Sequence, residues 1–518
     1  MLRRILELET RGINISAFCD EVADNEHEKI ARLIRENYGQ DNTYYKAAMK
    51  GIFAHHRGIS NGVRVATEYA MRKGLIKCIV CTSTLAQGVN LPIRYLIISS
   101  LYQAQEQIKV RDFHNLIGRA GRAGLYTEGT ILLSETFVYS KRTTYKEGWR
   151  WRNYLKMLNP DNSESCLSQF LLLVRPQVFK TATGNRVNCD FYSFVLRRYN
   201  NAENHEEFAA AEAENFIKKH SIKMYDLASI LSQINCCADA IESYLLSFLT
   251  DNNNHNLDAL ISGTFGYFLA TEEEQERMRT IFSTIRDYLL RTLDHADKRA
   301  VFSRTLLGTK QLLKLESWIV ENSDELRCCE TTSEILRLIM EKIVEYSENK
   351  CLKDIIAEEA ITDIASMWID GASYKQILDY ATENNVRIIR RNKEANILLE
   401  EIIDVCDDGF GYASILIINA ISELLRLHRE GSDGTCEMLG ELGRQMRYGL
   451  PTKKSILIYE LGFGDRAISL RLATILQGDS FTSKKQFQRA ALKNKDKLME
   501  ALDGFPKVFS DRMVELAM

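Results

Sequence analysis

Two arginines in a glycine-rich stretch are well suited to phosphate chemistry. Arg119 and Arg122 lie three residues apart in GRAGRAG (residues 118–124), a spacing that places both side chains on one face of a helix. Their small neighbours leave room for the guanidinium groups to reach a bound anion. Arginine binds phosphate as a planar fork and stays charged, so it suits a developing phosphoryl charge. The alternative is a glycine-rich turn followed by a solvated helix end.

The elements that must position these arginines lie upstream. The apolar run at residues 78–81 has the length of a strand covered on both faces, as in a parallel sheet. Small hydroxyl and glycine residues follow at 82–92, and residues 96–98 predict the next strand. Ligands of open α/β sheets bind at the carboxyl edge of the strands. We therefore expect a ligand site at that edge, with both arginines facing it.

Three motifs in this region follow the order of a known family. HHRGIS (residues 55–60) resembles the HHAGL motif of superfamily 2 DExH helicases of the superkiller and archaeal DNA-unwinding type. CTSTLAQGVNLP (residues 81–92) resembles their ATPTLAAGVNLP motif, and FHNLIGRAGRAG (residues 113–124) resembles QMAGRAGRPG. The resemblance implies that this region is the second of two RecA-like lobes.

The resemblance also implies roles for single residues. Arg119 and Arg122 would be arginine fingers toward ATP with Mg²⁺. The implied nucleotide-binding residues are Gly88, Asn90, Asn115 and Gly118. The implied strand-binding residues of this lobe are Thr82, Thr84, His55 and His56. Asn115 stands where the family usually has the longer Gln, so its contact with the nucleotide stays open. Arg57 replaces a small residue, and its role also stays open.

Other parts of a complete helicase motor are not evident in the sequence. No G-x-x-x-x-G-K-[ST] phosphate loop occurs. Residues 20–23 superficially resemble a DExH box, but too few residues separate them from HHRGIS, and we interpret Asp24-Asn25 as the cap of a helix that reaches about Asn37. Arginine fingers without a phosphate cradle and a magnesium-binding carboxylate cannot assemble a hydrolysis site. We therefore expect a fragment or split gene product, inactive without its first lobe.

Composition limits the remaining possibilities. The net charge of −3 gives no global basic field, so nucleic acid must be bound by local basic patches. The cysteines lack zinc-type spacing, and we interpret Cys78 and Cys81 as structural residues of the strand, so no metal site is expected. No signal peptide or apolar run of membrane-spanning length is evident. These features favour a cytoplasmic protein without a membrane partner.

We expect an α/β region followed by a mainly α region, in four parts. Residues 1–140 form a partial parallel-sheet, RecA-like lobe, and 141–230 form a linker with a possible winged helix. Residues 231–435 form a ratchet-like helical bundle, with a helical stripe from Met278 to Leu293 as core. Residues 436–518 form an end that resembles a helix-hairpin-helix.

Two basic stretches outside the motifs have alternative interpretations. KRTTYKEGWRWR (residues 141–152) interleaves basic and aromatic residues, which can hold phosphates and stack bases; the favoured alternative is a helix that packs its tryptophans on the lobe. The segment 361–400 resembles the C-terminal helical domain of the same helicases, in which a basic helix follows a Trp-x-x-Gly turn. On such a helix Arg387, Arg390 and Arg391 would share a face and bind single-stranded DNA or RNA, unless this is an ordinary solvated face.

A glycine turn at residues 462–464 joins two helical patterns near the end of the chain. Backbone N–H groups at such a turn can bind a phosphate, and the turn resembles a helix-hairpin-helix. Asp465 replaces an expected basic residue, and Arg466 could compensate for it. A simple αα-hairpin is the alternative.

Together the motifs predict the C-terminal portion of an ATP-dependent helicase or translocase that acts on a single strand of DNA or RNA. The alternative function is a non-catalytic nucleic-acid-binding or scaffold subunit of a defence or repair complex.

Overall fold

A computed structural model describes residues 1–15, 25–82, 91, 93–103, 106–121, 128–180, 185–200, 205–220, 224–249, 256–428 and 433–517. The chain divides into two compact units. The first unit contains Met1–Glu164, Leu336–Ile415 and Glu441–Met518. The second contains Ser165–Ile335 and Leu416–Gly440. The four-part division stays a prediction.

Residues 1–164 alternate helices and short strands. Their elements are α1 (Leu2–Thr10), α2 (Glu26–Tyr38), α3 (Thr43–Ala48), β1 (Ile52–His55), α4 (Asn61–Arg72), β2 (Cys78–Cys81), β3 (Tyr95–Ile98), β4 (Tyr102–Gln103), β5 (Glu106–Gln107), α5 (Val110–Ile117), β6 (Thr130–Leu133), α6 (Thr136–Ser140), α7 (Gly148–Leu158) and a 3₁₀ turn at Pro160–Asn162.

Residues 165–346 are mainly helical. Their elements are a 3₁₀ helix at Gln169–Leu173, β7 (Gln177–Lys180), β8 (Arg186–Cys189), α8 (Tyr192–Asn200), α9 (His205–His220), α10 (Met224–Leu246), α11 (Leu257–Ser262), α12 (Phe265–Leu269), α13 (Glu272–Thr292), α14 (Ala296–Ser303), α15 (Thr309–Cys328) and α16 (Thr332–Tyr346).

The remainder is helical apart from one hairpin. Its elements are α17 (Lys350–Lys353), α18 (Glu358–Ile369), α19 (Tyr374–Glu383), β9 (Arg387–Arg390), β10 (Lys393–Asn396), α20 (Leu399–Asp404), a π-helix at Val405–Ala413, α21 (Ser414–His428), α22 (Asp433–Tyr448), α23 (Lys453–Ile458), a π-helical segment at Tyr459–Phe463, α24 (Arg466–Ile475), α25 (Lys484–Lys493), α26 (Lys495–Leu502) and α27 (Lys507–Ala517).

The predicted parallel strands are present in the first unit as two pairs. β1 pairs with β2 from Ile52↔Cys78 to His55↔Cys81, and β3 pairs with β6 in the same parallel sense. Parallel pairing requires a crossover, and α4 and α5 provide the helices of these crossovers. The expectation that residues 78–81 are covered on both faces is wrong, because all four are only partly buried. This architecture, α/β followed by mainly α, agrees with the predicted fold class.

Two helical predictions are confirmed. α2 begins one residue after Asn25, although the Asn25 side chain makes no capping hydrogen bond, and it ends beside Gly39 at φ 79°. Asp24 and the DExH-like residues 20–23 lie outside the described residues. In the second unit α13 starts with a capping box between Thr271 and Glu274 and buries the predicted apolar stripe. The winged-helix and helix-hairpin-helix assignments stay predictions.

The continuous helical stretch Leu399–His428 meets the length and hydropathy of a membrane span, which the sequence analysis did not anticipate. Half of its most apolar window is buried within the protein. A buried core helix meets the same test, so the stretch is weak evidence for a membrane.

Candidate functional site

The carboxyl ends of β1 and β2 bring the first set of predicted strand-binding residues together. His55 ends β1 opposite Cys81, so His56 and Thr82 leave the two strands at the same edge. Thr82 is exposed there and His56 is partly buried. Both line a cavity of about 800 Å³ that also contacts Val80, Leu96 and Phe113. This edge is therefore open to solvent, and the ligand site expected there stays a prediction.

The two histidines differ in their accessibility. His55 is 4% exposed, and its Nε2 lies 2.8 Å from a carboxylate oxygen of Glu68 on α4. A nucleic-acid strand cannot reach a ring buried in this way, so the predicted direct contact by His55 is corrected to a packing role. The pairing ties β1 to the helix that follows it.

His56 is held as a neutral ring at the cavity. The Gly58 N–H donates to Nδ1 at 3.1 Å, which leaves Nε2 as the protonated nitrogen, 3.3 Å from the Tyr44 hydroxyl. Burial lowers the pKa of His56, and the neighbouring His55 lowers it further. At neutral pH His56 can therefore offer a hydrogen bond but not a positive charge to a phosphate.

Arg119 occupies a different edge from the one expected. It follows α5, and the next residue, Ala120, forms a parallel bridge with Ile93, two residues before β3 begins. The Gly121 N–H donates to the Ile93 carbonyl at 2.9 Å. Arg119 is thus at the amino end of β3, and the expectation of the carboxyl edge is wrong. The reason is topological, because a crossover helix returns the chain to the amino end of the next parallel strand.

The backbone around Arg119 is tightly fixed. Gly121 has φ +73°, and a Cβ there would lie 2.5 Å from the Gly129 nitrogen. At the other end of α5, the Glu164 carboxylate accepts the N–H groups of Val110 and Arg111 at 2.9 and 3.3 Å. The hydrogen bond from Val110 lowers the pKa of Glu164. Arg119 is partly buried, rather than extended into solvent, on a segment anchored at both ends.

The remaining predicted nucleotide residues are only partly described. Asn115 is exposed on α5, and Gly118 follows the last residue of that helix. Thr84, Gly88, Asn90 and Arg122 lie outside the described residues. Their assignments stay predictions.

The arginines at residues 387–391 lie on a β-hairpin, so the helix predicted there is wrong. β9 and β10 pair antiparallel, and the two loop residues Arg391 and Asn392 have φ 51° and 60°, as a tight hairpin turn requires. Buried Val386 and Ile388 alternate with the exposed Arg387, a period of two that the sequence analysis overlooked.

The hairpin also separates the three arginines chemically. Arg390 forms a two-pronged ion pair with Glu401, with contacts of 2.8 and 2.6 Å. Arg387 donates to the Asn396 side chain on the paired strand. Arg391 is at the exposed turn. They share no face, which removes the geometric basis for a continuous phosphate track.

The glycine turn at residues 462–464 is confirmed as a connection between helices. The basic residue that follows it does not point to a phosphate site at the turn. Gly462 and Gly464 have φ 101° and 64°, and Asp465 caps α24 by accepting the Ile468 N–H at 3.0 Å. Arg466 is 7% exposed and stacks 3.7 Å from the Trp368 ring. Its guanidinium donates to the carbonyls of Gly449, Trp368 and Ala372. The hypothesis that Arg466 compensates for Asp465 at a phosphate is therefore wrong.

A polar cavity in the first unit was missed by the sequence analysis. It has a volume of about 310 Å³, and the π-helix at Val405–Ala413 contributes two acids to it. Asp407 accepts the Tyr374 hydroxyl at 2.6 Å, and burial raises the pKa of Asp407. Asp408 pairs with Arg57 at 2.6 Å, which gives a structural partner to that atypical motif residue. The signal was the DDGFG sequence inside an otherwise apolar helix.

Comparison with known proteins agrees with this arrangement. Residues 2–124 match the helicase conserved C-terminal domain. The chain is 24% identical over 451 residues to the Hachiman protein HamB of Bacillus cereus, covering 85% of this chain and 37% of that protein. It is 43% identical over 83 residues to Helicase POLQ-like of Homo sapiens, covering 16% and 8% of the two chains.

A further match is to the ATP-dependent DNA helicase Hel308 of Aeropyrum pernix, at 40% identity over 87 residues, covering 16% of this chain and 12% of that protein. In each case the chain spans much less than two thirds of the relative's length. The domain match and the parallel strands agree in describing residues 2–124 as similar to a helicase C-terminal domain. The local matches also include the Hel308 helicase of Methanococcus vannielii, so this part of the chain is similar to Hel308 and POLQ-like helicases.

Proposed function

We propose that this chain supplies the second-lobe half of an ATP-driven motor that moves along a single strand of DNA or RNA. Arg119 and Arg122 act as arginine fingers on a triphosphate held by a first lobe. Thr82 and Thr84, with backbone amides, hold the phosphates of the strand. The residues of this lobe that contact the nucleotide are Gly88, Asn90, Asn115 and Gly118.

The observation that carries the proposal is the fixed attachment of Arg119 to the segment that follows CTSTLAQGVNLP. Ile93 comes directly after that motif, and it binds the backbone of Ala120 and Gly121. Two motifs that the resemblance assigns to the nucleotide are thereby joined through one backbone contact. A rigid cation gives more transition-state stabilisation than a mobile one, because it needs no reorganisation as charge develops.

The strand and the nucleotide would be bound at different edges of the lobe. Thr82 lies at the carboxyl end of β2, and Arg119 lies at the amino end of β3. Closure of a first lobe over Arg119 would therefore pull on β3 without occupying the strand-binding edge. Each cycle of closure and release would shift the grip of Thr82 and its neighbours on the strand.

ATP with Mg²⁺ would supply the phosphoryl group and its charge-neutralising metal. The first unit offers a cation at Arg119, and the part of the chain that the structure describes contains no group of three His, Cys, Asp or Glu side chains placed for a metal ion. A first lobe would supply the phosphate cradle and the carboxylate that binds magnesium.

The test combines this chain with the first lobe of a Hel308-type helicase and measures ATP hydrolysis stimulated by single-stranded nucleic acid. Arg122→Ala and Arg119→Ala should each lower kcat by about 10³-fold, as loss of an arginine finger does. Lys485→Ala, an exposed cation on α25, is the matched control and should leave kcat unchanged. Undiminished hydrolysis by Arg122→Ala would overturn the finger assignment.

The alternative, a non-catalytic strand-binding or scaffold subunit, predicts no stimulated hydrolysis even when the first lobe is supplied. The requirement for that lobe is tested separately, by nucleotide binding to the chain alone. We expect no binding, or very weak binding, in equilibrium dialysis with labelled ATP and Mg²⁺. A micromolar ATP site in the isolated chain would contradict the requirement for a first lobe.

A further inference from the structure

The segment that joins β6 to α7 carries a cluster of cations and aromatic rings outside the helicase motifs. We call it the basic–aromatic surface, and define it by Tyr139, Arg142, Tyr145, Lys146, Trp149 and Arg152. Tyr145 is fully exposed, Tyr139 is 56% exposed and Trp149 is 41% exposed. The favoured interpretation of the sequence packs the tryptophans of this segment on the lobe, and the exposure of Trp149 disagrees with it.

The inner side of the same segment explains which residues pack and which do not. Val138, Tyr154 and Met157 are buried in the core of the lobe. Trp151 packs against that core and meets the Tyr139 ring edge-on at 5.4 Å. The packing interpretation therefore holds for Trp151 and fails for Trp149. The segment that carries the exposed rings is therefore fixed to the core of the lobe by its buried residues.

The turn that carries Tyr145 is ordered by its own hydrogen bonds. The Thr144 N–H and hydroxyl both donate to the Lys141 carbonyl, at 3.1 and 2.8 Å. The Gly148 N–H donates to the Thr144 carbonyl at 2.8 Å. Tyr145 is thus held at the tip of a fixed turn, where its ring buries no area against the protein. Presenting a large aromatic ring in this way gives the fold no hydrophobic stabilisation.

The charge of the surface is opposite to that of the whole chain. Residues 139–156 contain six Lys and Arg but one acid, Glu147, whereas the chain carries a net charge of −3. Glu147 pairs with Arg150 at 3.0 Å. Arg142 lies over the Tyr139 ring at 3.9 Å and donates to the Tyr139 carbonyl at 2.9 Å. A planar cation and an aromatic ring therefore lie together at this end of the segment.

We propose that the basic–aromatic surface binds single-stranded nucleic acid by stacking bases on Tyr145 and Trp149 while Arg142, Lys146 and Arg152 neutralise phosphates. Unpaired bases offer flat faces to exposed rings, and the backbone offers regularly spaced charges to the cations. A duplex keeps its bases stacked inside the helix, so it can use only the cations. An acidic polypeptide likewise satisfies the cations but leaves the two rings without a stacking partner.

This inference deepens the proposed function, since it rests on the chain handling a single strand, and it adds a contact outside the helicase motifs. It does not depend on hydrolysis. The binding experiment uses this chain without nucleotide or first lobe, so failure of the arginine-finger test leaves its result standing. Conversely, loss of this surface leaves the finger assignment untouched.

The first experiment measures fluorescence anisotropy of labelled oligothymidylate and oligouridylate, each of about 15 nucleotides, with the full chain. The double variant Tyr145→Ala/Trp149→Ala should bind about 10- to 100-fold more weakly. Phe268→Ala removes a 79% exposed aromatic ring from α12 and should bind like the wild type. Binding by the double variant within twofold of the wild type would overturn the proposal.

The second experiment separates phosphate contacts from stacking. Arg142→Ala/Lys146→Ala should reduce the salt dependence of log affinity by about 1.4, the value for two single-strand phosphate contacts. Lys484→Ala/Lys485→Ala removes two exposed cations elsewhere and should leave the slope unchanged. An unchanged slope in the first variant would contradict the assignment.

Competition decides the class of ligand. A blunt duplex of the same length and polyglutamate of matched charge should each displace the labelled single strand at least tenfold less effectively than unlabelled single strand. Equal displacement by the duplex or by polyglutamate would show that the surface recognises charge alone, and would overturn the single-strand proposal.

Discussion

Two basic stretches of the first unit contrast in how their cations are used. In the β9–β10 hairpin, Arg390 is engaged by Glu401 and Arg387 by Asn396. In residues 139–156, which carry the basic–aromatic surface, there are six cations and one carboxylate, and Tyr145 and Trp149 are exposed. The sequence left the hairpin arginines open between strand binding and an ordinary solvated face, and it favoured packing for residues 141–152. The contrast teaches that nearby acceptors, more than residue type or spacing, decide whether a cation is available.

Removal of the buried Arg466 should lower the free energy of unfolding more than any other change considered below. Arg466→Ala removes three hydrogen bonds to carbonyls and the stacking on Trp368. We expect the free energy of unfolding in urea to fall by about 3–5 kcal/mol, because three carbonyls lose their donor in a buried site. Lys485→Ala should change it by less than about 0.5 kcal/mol.

Arg466→Lys sharpens this prediction. A lysine keeps the charge but cannot span three carbonyls with a planar fork, so it should recover less than half of the lost stability. A loss of under about 1 kcal/mol in Arg466→Ala would show that the buried arginine is not a structural element of the fold.

Removal of the hairpin arginines should have a smaller effect on the free energy of unfolding than removal of Arg466. Arg390→Ala should lower the free energy of unfolding only slightly, since the ion pair is partly exposed and screened. Arg387→Ala/Arg390→Ala should change the affinity for oligothymidylate by less than about twofold, in contrast to the basic–aromatic surface. A tenfold loss of affinity in anisotropy would break the comparison and restore the hairpin as a strand-binding element.

The smallest expected effect is a pH dependence of stability from Asp407, which is partly buried in the polar cavity. Burial raises the pKa of Asp407 above its unfolded value, so the stability from its protonated form is present at low pH and is lost as pH rises through the native pKa. Asp407→Asn keeps an oxygen acceptor for Tyr374 without the titration. Its free energy of unfolding should therefore change less than that of the wild type as pH rises from the ordinary value of 3.8 toward the raised native pKa. Equal pH slopes would contradict the assignment.

Local pattern was sufficient to predict several elements. The apolar runs at residues 78–81 and 96–98 correspond to β2 and β3, and the stripe from Met278 to Leu293 is buried as predicted. The alternation in β9 was equally visible but was overlooked beside the basic charge. The edge occupied by Arg119 also followed from the crossover rule, which was not applied.

The sequence alone therefore determined β2, β3, the main helical stripe, the glycine turn and the family resemblance, because each depends on residues that are close together in the chain. Only the tertiary structure decided which cations are engaged. Arg466 meets Trp368 across 98 residues, and Asn61 meets the Gly464 carbonyl across 403 residues. Such contacts depend on chain topology, since a side chain's local sequence does not specify the distant acceptor that folding brings beside it.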